Sequence, residues 1–231
     1  DRLEKFARGE LGFKQLAPQV VALSRGDYIA MFPPIGLFVT PKYDGVRSFL
    51  LNTDGKLHII GSQTESREST VPDRVLVDCE IIEGHAYIFD VMVLGVNITA
   101  MPYESRQEHI AAAVEKLSGI IPCSAKPLIK LTDNYADELQ IIWSTGQDKT
   151  IPLDGIIFIR PGESYAETRS YKWKPLSHTS IDFYAVACPK TLLGIKPYVP
   201  VAGKTLYLLF VGISYRMLGT IGLNRMPQYR D

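Results

Sequence analysis

Short apolar runs separated by turn residues constrain this chain more than anything else in it. Gly36-Leu37-Phe38-Val39-Thr40, Ser48-Phe49-Leu50-Leu51 and Leu57-His58-Ile59-Ile60 are too short for buried helices and read as strands. Thr53-Asp54-Gly55 turns the second run back on the third, making a β-hairpin. Residues 75–82 and 86–93 read as strands on either side of a second turn, Glu83-Gly84-His85. Residues 126–131, 153–159 and 170–174 complete the strand set. Helical patterning is sparser. Leu3, Phe6, Leu11, Phe13 and Leu16 make a rough face ended by Pro18, and residues 27–32 form a turn that Pro33-Pro34 breaks. Residues 103–118 carry the clearest helix and residues 135–145 another, while the polar, turn-rich residues 62–73 read as a loop. Beyond Pro175 the chain changes character: residues 181–186 and 206–213 read as strands joined by Pro- and Gly-rich connections. This places a domain boundary near residue 178, with a second part too short to be a complete barrel.

Composition excludes several classes of function. The formal net charge of the 231 residues is zero, so contact with nucleic acid requires a local basic cleft and not a global field. No apolar run is long enough to span a bilayer, and no membrane role is expected. The cysteines are three in number and far apart, which favours free thiols and an intracellular setting. The histidines do not pair with cysteines at zinc spacing. The chain starts and stops without tails and reads as a piece of a longer polypeptide.

The residues with chemical promise cluster around Lys42-Tyr43-Asp44-Gly45-Val46-Arg47. On a short loop at a strand end, the Lys42 amine is a candidate nucleophile if burial and nearby cations lower its pKa. Arg47 offers a planar fork to a phosphate or sugar hydroxyl. A solvated hairpin turn with surface charges is the ordinary alternative. Asp78 and Glu80 interrupt an apolar strand, where acids must be paired, bind a cation, or lie on a solvated face. In Ser170-Tyr171-Lys172-Trp173-Lys174, alternation puts both lysines on one face; an edge strand protected by lysines would look the same.

In order, KYDGVR, DCE, FDV, DGIIF and KWK resemble the motifs of the covalent nucleotidyltransferases, the superfamily of messenger-RNA capping guanylyltransferases and polynucleotide ligases. Residues 18–25, an Asp at 154 where ligases usually have Glu, and Lys172-Trp173-Lys174-Pro175 followed by Thr179-Ser180-Ile181-Asp182-Phe183 resemble the capping branch. The wider pattern, from about Pro18 to Ser214, is similar to the multifunctional capping enzymes of African swine fever virus and poxvirus type. The resemblance implies an α+β fold: an antiparallel-sheet nucleotidyltransferase domain of ligase type over residues 1–178, then the start of an OB-like domain over residues 179–231. It implies that Lys42 attacks the α-phosphorus of GTP to form Lys–GMP, which is then passed to a 5′-diphosphate RNA end. Arg47, Glu80, Phe89, Lys130, Lys172 and Lys174 would bind the nucleotide, with Phe89 stacking on the base and Lys130 reading it. Asp154 and Glu80 would hold Mg²⁺ or Mn²⁺. Triphosphatase and methyltransferase chemistry would belong to flanking domains or subunits. Cys79 stands where the third motif usually has glycine. The family's later pyrophosphate-orienting motif is not found before Asp231, so poor formation of the covalent intermediate is expected. An ATP-dependent ligase and a non-catalytic scaffold of the same fold are the competing readings.

Overall fold

The computed structural model describes residues 17–61, 64–145, 151, 153–175, 184–188 and 207–210. The expected N-terminal helical face and the stretch Thr179–Phe183 fall outside these residues, apart from Ala17. The chain divides into two compact units, Asp1–His178 and Thr179–Asp231.

Two turns lay out the first sheet. Asp54 and Gly55 both have positive φ, 52° and 71°, and join β3 (Val46–Thr53) to β4 (Lys56–Ile60) as a two-residue hairpin. Glu83 and Gly84, at 49° and 81°, do the same between β6 (Val75–Ile82) and β7 (His85–Leu94). With β5 (Thr64–Glu68), β8 (Val96–Asn97) and β9 (Cys123–Ala125) they form a seven-stranded sheet in the order β5-β4-β3-β6-β7-β8, β9 pairing in parallel with β7. The five-stranded sheet is ordered β1-β12-β11-β2-β10, from β1 (Val20–Ala22), β2 (Phe38–Tyr43), β10 (Ile129–Lys130), β11 (Leu153–Ile159) and β12 (Ser170–Trp173).

Helices cover one face of each sheet. The helix α3 (Ile110–Leu117) buries Ile110, Ala113 and Leu117 against Leu50, Val77 and Ile88 of the larger sheet. On the smaller sheet, Ile142 of α4 (Tyr135–Thr145) packs with Val39, Ile156, Phe158 and Tyr171. Ser24 caps α1 (Arg25–Met31), accepting from the Asp27 amide. A short helix, α2 (Tyr103–Gln107), follows β8. Of the second unit, β13 (Tyr184–Ala187) and β14 (Tyr207–Phe210) are described, an antiparallel pair.

Four expectations are corrected. Residues 64–68 are a strand, not a loop, because their backbone pairs with β4 while all five side chains stay exposed. Residues 126–131 are not one strand. Pro127, which has no N–H, lies where the chain leaves β9 in one sheet for β10 in the other. Residues 103–118 form two helices, parted by a tight turn in which the His109 amide donates to Arg106 O at 3.2 Å. Lys42 lies within β2 and not on a loop. Pro41 is tolerated there because β10 pairs only with Phe38 and Val39 on that side.

The chain also crosses between sheets at Asp44-Gly45, from β2 to β3. Two crossings, at 44–45 and 126–128, therefore flank the space between the sheets. Gly155 brings β11 close to β12: its φ is +148°, and a Cβ there would overlap the Trp173 carbonyl oxygen. Gly155→Ala is expected to cost about 1–3 kcal/mol through backbone strain, seen as a lowered midpoint in thermal unfolding.

Candidate active site

Strand alternation directs one face of each sheet into a shared cavity. From the smaller sheet come Thr40, Lys42, Ile157, Ile159, Ser170 and Lys172; from the larger, Arg47, Asp78, Glu80, Phe89 and Asp90. Phe89 and Asp90 are consecutive yet both line it. The β6–β7 register shifts there, pairing Asp78 with Asp90 and Cys79 with Ile88, so Phe89 is the extra residue of a β-bulge.

At one end the Lys42 ammonium donates to Asp154 Oδ2, and Lys174 Nζ lies 2.7 Å from the same oxygen. Burial pushes the Asp154 carboxyl up, but the hydrogen bonds from Lys174 and Lys42 prevail and hold it below its ordinary range. Lys172 lines the wall alongside. Across the cavity, Glu80 accepts from Lys126 Nζ at 3.0 Å and from the Gly45 amide at 3.3 Å. Lys126 is buried, 4.9 Å from the Tyr43 ring centre and 5.3 Å from that of Phe89. Burial lowers its pKa, and Glu80 opposes that shift.

Arg47 is already engaged. Its Nε and Nη2 grip Asp78 at 3.0 and 2.6 Å, and Nη1 donates to Pro18 O at 2.8 Å. Its guanidinium lies 5.5 Å over Phe89. Burial opposes its charge, but Asp78 outweighs burial and holds the proton. Asp78 is fully buried, not solvated, and takes a third hydrogen bond, 2.7 Å, from Tyr165 OH. Deeper in, Arg106 forks onto Asp90 with two 2.8 Å bonds. Burial raises Asp90 to about 6, with the Arg106 fork pulling the other way.

The structure thus brings together Lys42, Arg47, Glu80, Phe89, Asp154, Lys172 and Lys174. Lys130 is not among the cavity-lining residues: it is exposed at the end of β10, its Nζ 5.6 Å from the Phe38 ring. Lys126 occupies the wall instead, because the sheet crossing falls between them. Asp78, Asp90, Arg106 and Tyr165 were not picked out as site residues. Asp78 left a sequence signal as an acid in an apolar strand, and Asp90 as the middle residue of FDV. Lys42, Arg47, Arg106, Lys126, Lys172 and Lys174 face four carboxylates, so the site favours an anionic ligand.

No family model matches the chain. It is 34% identical over 237 aligned residues to the mRNA-capping enzyme of African swine fever virus, strain Badajoz 1971 Vero-adapted, an alignment covering 98% of this chain. The enzyme of the Warthog/Namibia/Wart80/1980 isolate aligns with the same identity and coverage. The chain is a homologue of a segment of the viral mRNA-capping enzyme. It spans 27% of the length of these capping enzymes. Among solved structures, Pmar-Lig_Pre shares the fold at a TM-score of 0.50 and 14% identity, over 80% of this chain and 51% of that one. The chain therefore has the expected α+β fold built on antiparallel sheets, shared with Pmar-Lig_Pre, in a sequence related to viral mRNA-capping enzymes.

Among the described residues, no cluster of three or more His, Cys, Asp or Glu side chains is arranged to hold a metal. Asp154 and Glu80 each already meet a lysine. A donor set of one or two carboxylates fits a hard cation whose remaining ligands are substrate phosphates and water, and not an all-protein cage. Among the described residues no helix is long and apolar enough to cross a membrane.

Proposed function

We propose that the chain is the guanylyltransferase segment of an mRNA-capping enzyme. The observation that carries this reading is the Lys42 amine, held on Asp154 beside Lys174 at one end of a cationic cavity between two sheets. GTP enters with its base beside Phe89 and Lys126 and its phosphates toward Lys42, Lys172 and Lys174. The Lys42 ammonium gives up a proton to solvent water, and its freed nitrogen lone pair attacks the α-phosphorus. An N–P bond forms, the bond to the bridging oxygen breaks, and pyrophosphate leaves. A terminal oxygen of a 5′-diphosphate RNA end then attacks the same phosphorus, the N–P bond breaks, and the GpppN cap is released.

The ion pair with Asp154 occupies the Lys42 amine, so attack requires that carboxylate to be engaged elsewhere. Mg²⁺ or Mn²⁺, held by Asp154 with or without Glu80, would supply positive charge to the phosphates when bound. Lys172 and Lys174 stabilise charge on the transferring phosphoryl group. Lys126 takes the base-reading place first given to Lys130: an ammonium only donates, and guanine offers the acceptors O6 and N7. Arg47, held flat by Asp78, backs Phe89. Triphosphatase and methyltransferase steps fall to polypeptide outside this segment.

The test is incubation with GTP or ATP carrying a labelled α-phosphate, with Mg²⁺ or Mn²⁺, followed by a denaturing gel. Label from GTP and not ATP is the expected result, weak because the later pyrophosphate-orienting motif is not found in this segment. Label from ATP alone would mark a ligase-type adenylyltransferase, and label from neither would contradict the covalent reading for this segment.

A further inference from the structure

Two hydroxyls on the cavity wall, Thr40 Oγ1 and Tyr103 OH, are buried and have no hydrogen-bond partner among the described residues. The side chains are 3% and 2% exposed, so bulk water does not satisfy them. A buried, unsatisfied hydroxyl costs about 1–3 kcal/mol, and native structures contain few. Two in one cavity mark a wall that lacks its polar partner.

Their positions follow from β2. Alternation along this strand puts Phe38, Thr40 and Lys42 on one face. Phe38 meets the Tyr103 ring edge-on at 5.4 Å, so Tyr103 sits at the end of the cavity remote from the Lys42 amine. Phe38 and Lys42 are four residues apart along the strand, roughly 13 Å. A nucleotide whose α-phosphate lies at Lys42 therefore extends its base toward Tyr103. The walls on the way are apolar on one side (Ile157, Ile159) and aromatic on the other (Phe89), a slot for a flat ring. Nothing in the capping motifs draws attention to Tyr103, which lies on α2 between two of them.

From this geometry we infer that Tyr103 is a specificity-determining residue whose hydroxyl hydrogen-bonds the polar edge of the purine base. The inference rests on the proposed reading that this cavity takes GTP. It adds a base contact from α2 to the donor from Lys126. The hydroxyl both donates and accepts, so it serves either the carbonyl or the ring N–H of guanine, and the ligand supplies the partner that the free protein lacks.

The test is Tyr103→Phe, which keeps the ring against Phe38 and removes one oxygen. GTP binding is measured by calorimetry on the wild-type and variant chains, together with thermal unfolding and labelling from α-labelled GTP. The expected result is GTP affinity weakened about fivefold to twentyfold, with an unfolding midpoint equal to or above wild type, because the variant sheds an unsatisfied group. Labelling at saturating GTP is expected to persist, so the loss falls on KM and not on kcat. A residue with a purely packing role gives the opposite pattern, unchanged affinity or a lowered midpoint. If wild type binds GTP and the variant binds it equally well, Tyr103 serves an internal water and the inference is overturned alone. If wild type does not bind GTP, the reading of the cavity falls and takes the inference with it.

Discussion

Lys42→Arg is expected to abolish covalent labelling from GTP while leaving the fold intact. Arginine restores the positive charge and can still pair with Asp154, so an electrostatic role for Lys42 would survive the change. A nucleophilic role would not, because a guanidinium stays protonated at any working pH and has no lone pair to offer phosphorus. Lys42→Ala gives the same loss. It does not strand Asp154, since Lys174 holds the same carboxylate oxygen at 2.7 Å. The expected stability change in either variant is therefore small, about 1 kcal/mol or less for a part-exposed ion pair. Labelling falls below detection while circular dichroism and the unfolding midpoint stay near wild type. Residual label on either variant would remove Lys42 from the chemistry.

Arg106→Ala is expected to produce the largest loss of stability among single changes at the site. Arg106 is fully buried and forks onto Asp90, itself only 4% exposed. It also donates to Met101 O at 2.6 Å, Glu163 O at 3.1 Å and Thr168 Oγ1 at 3.1 Å. Its guanidinium thus ties α2 to β7 and to the connection between β11 and β12. Truncation leaves a buried carboxylate without its cation, a loss of about 3–5 kcal/mol. A protein of this size should melt roughly 10 °C lower. Pairing Arg106→Met with Asp90→Asn removes both charges and should recover part of the loss, because burying the ions carries its own desolvation cost. Recovery stays incomplete, since the two carbonyls and the Thr168 hydroxyl lose their donor. Equal midpoints for Arg106→Ala and wild type would contradict this account of the buried pair.

Local pattern carried the strands, the two-residue turns and α4, because period-two alternation and Asp-Gly or Glu-Gly pairs act over a few residues. Partnership was harder to read. Thr64–Glu68 is a strand through the edge it pairs with, not through its own composition. The split at Pro127 depends on which sheet each half joins. The same limit governed the site. Lys42, Arg47, Glu80, Phe89, Asp154, Lys172 and Lys174 lie in short motifs and were legible together. Sequence alone does not say which of Lys126 and Lys130 stands on the cavity wall at the crossing between sheets. Asp78 was visible as an acid in an apolar strand, but its burial follows from Arg47 and Tyr165, residues 31 and 87 positions away. The bulge that turns both Phe89 and Asp90 inward breaks the alternation any strand reading relies on.

The most direct test of the central claim is to locate the adduct. The chain is incubated with GTP and Mg²⁺ or Mn²⁺ and digested under conditions that spare a phosphoramidate. The peptide spanning Lys42 is then examined by mass spectrometry. The account predicts a gain equal to one GMP on that peptide, fragmentation that places it on the Lys42 side chain, and its disappearance when pyrophosphate is added in excess. A GMP adduct on Lys126, Lys172 or Lys174 with Lys42 unmodified would contradict it.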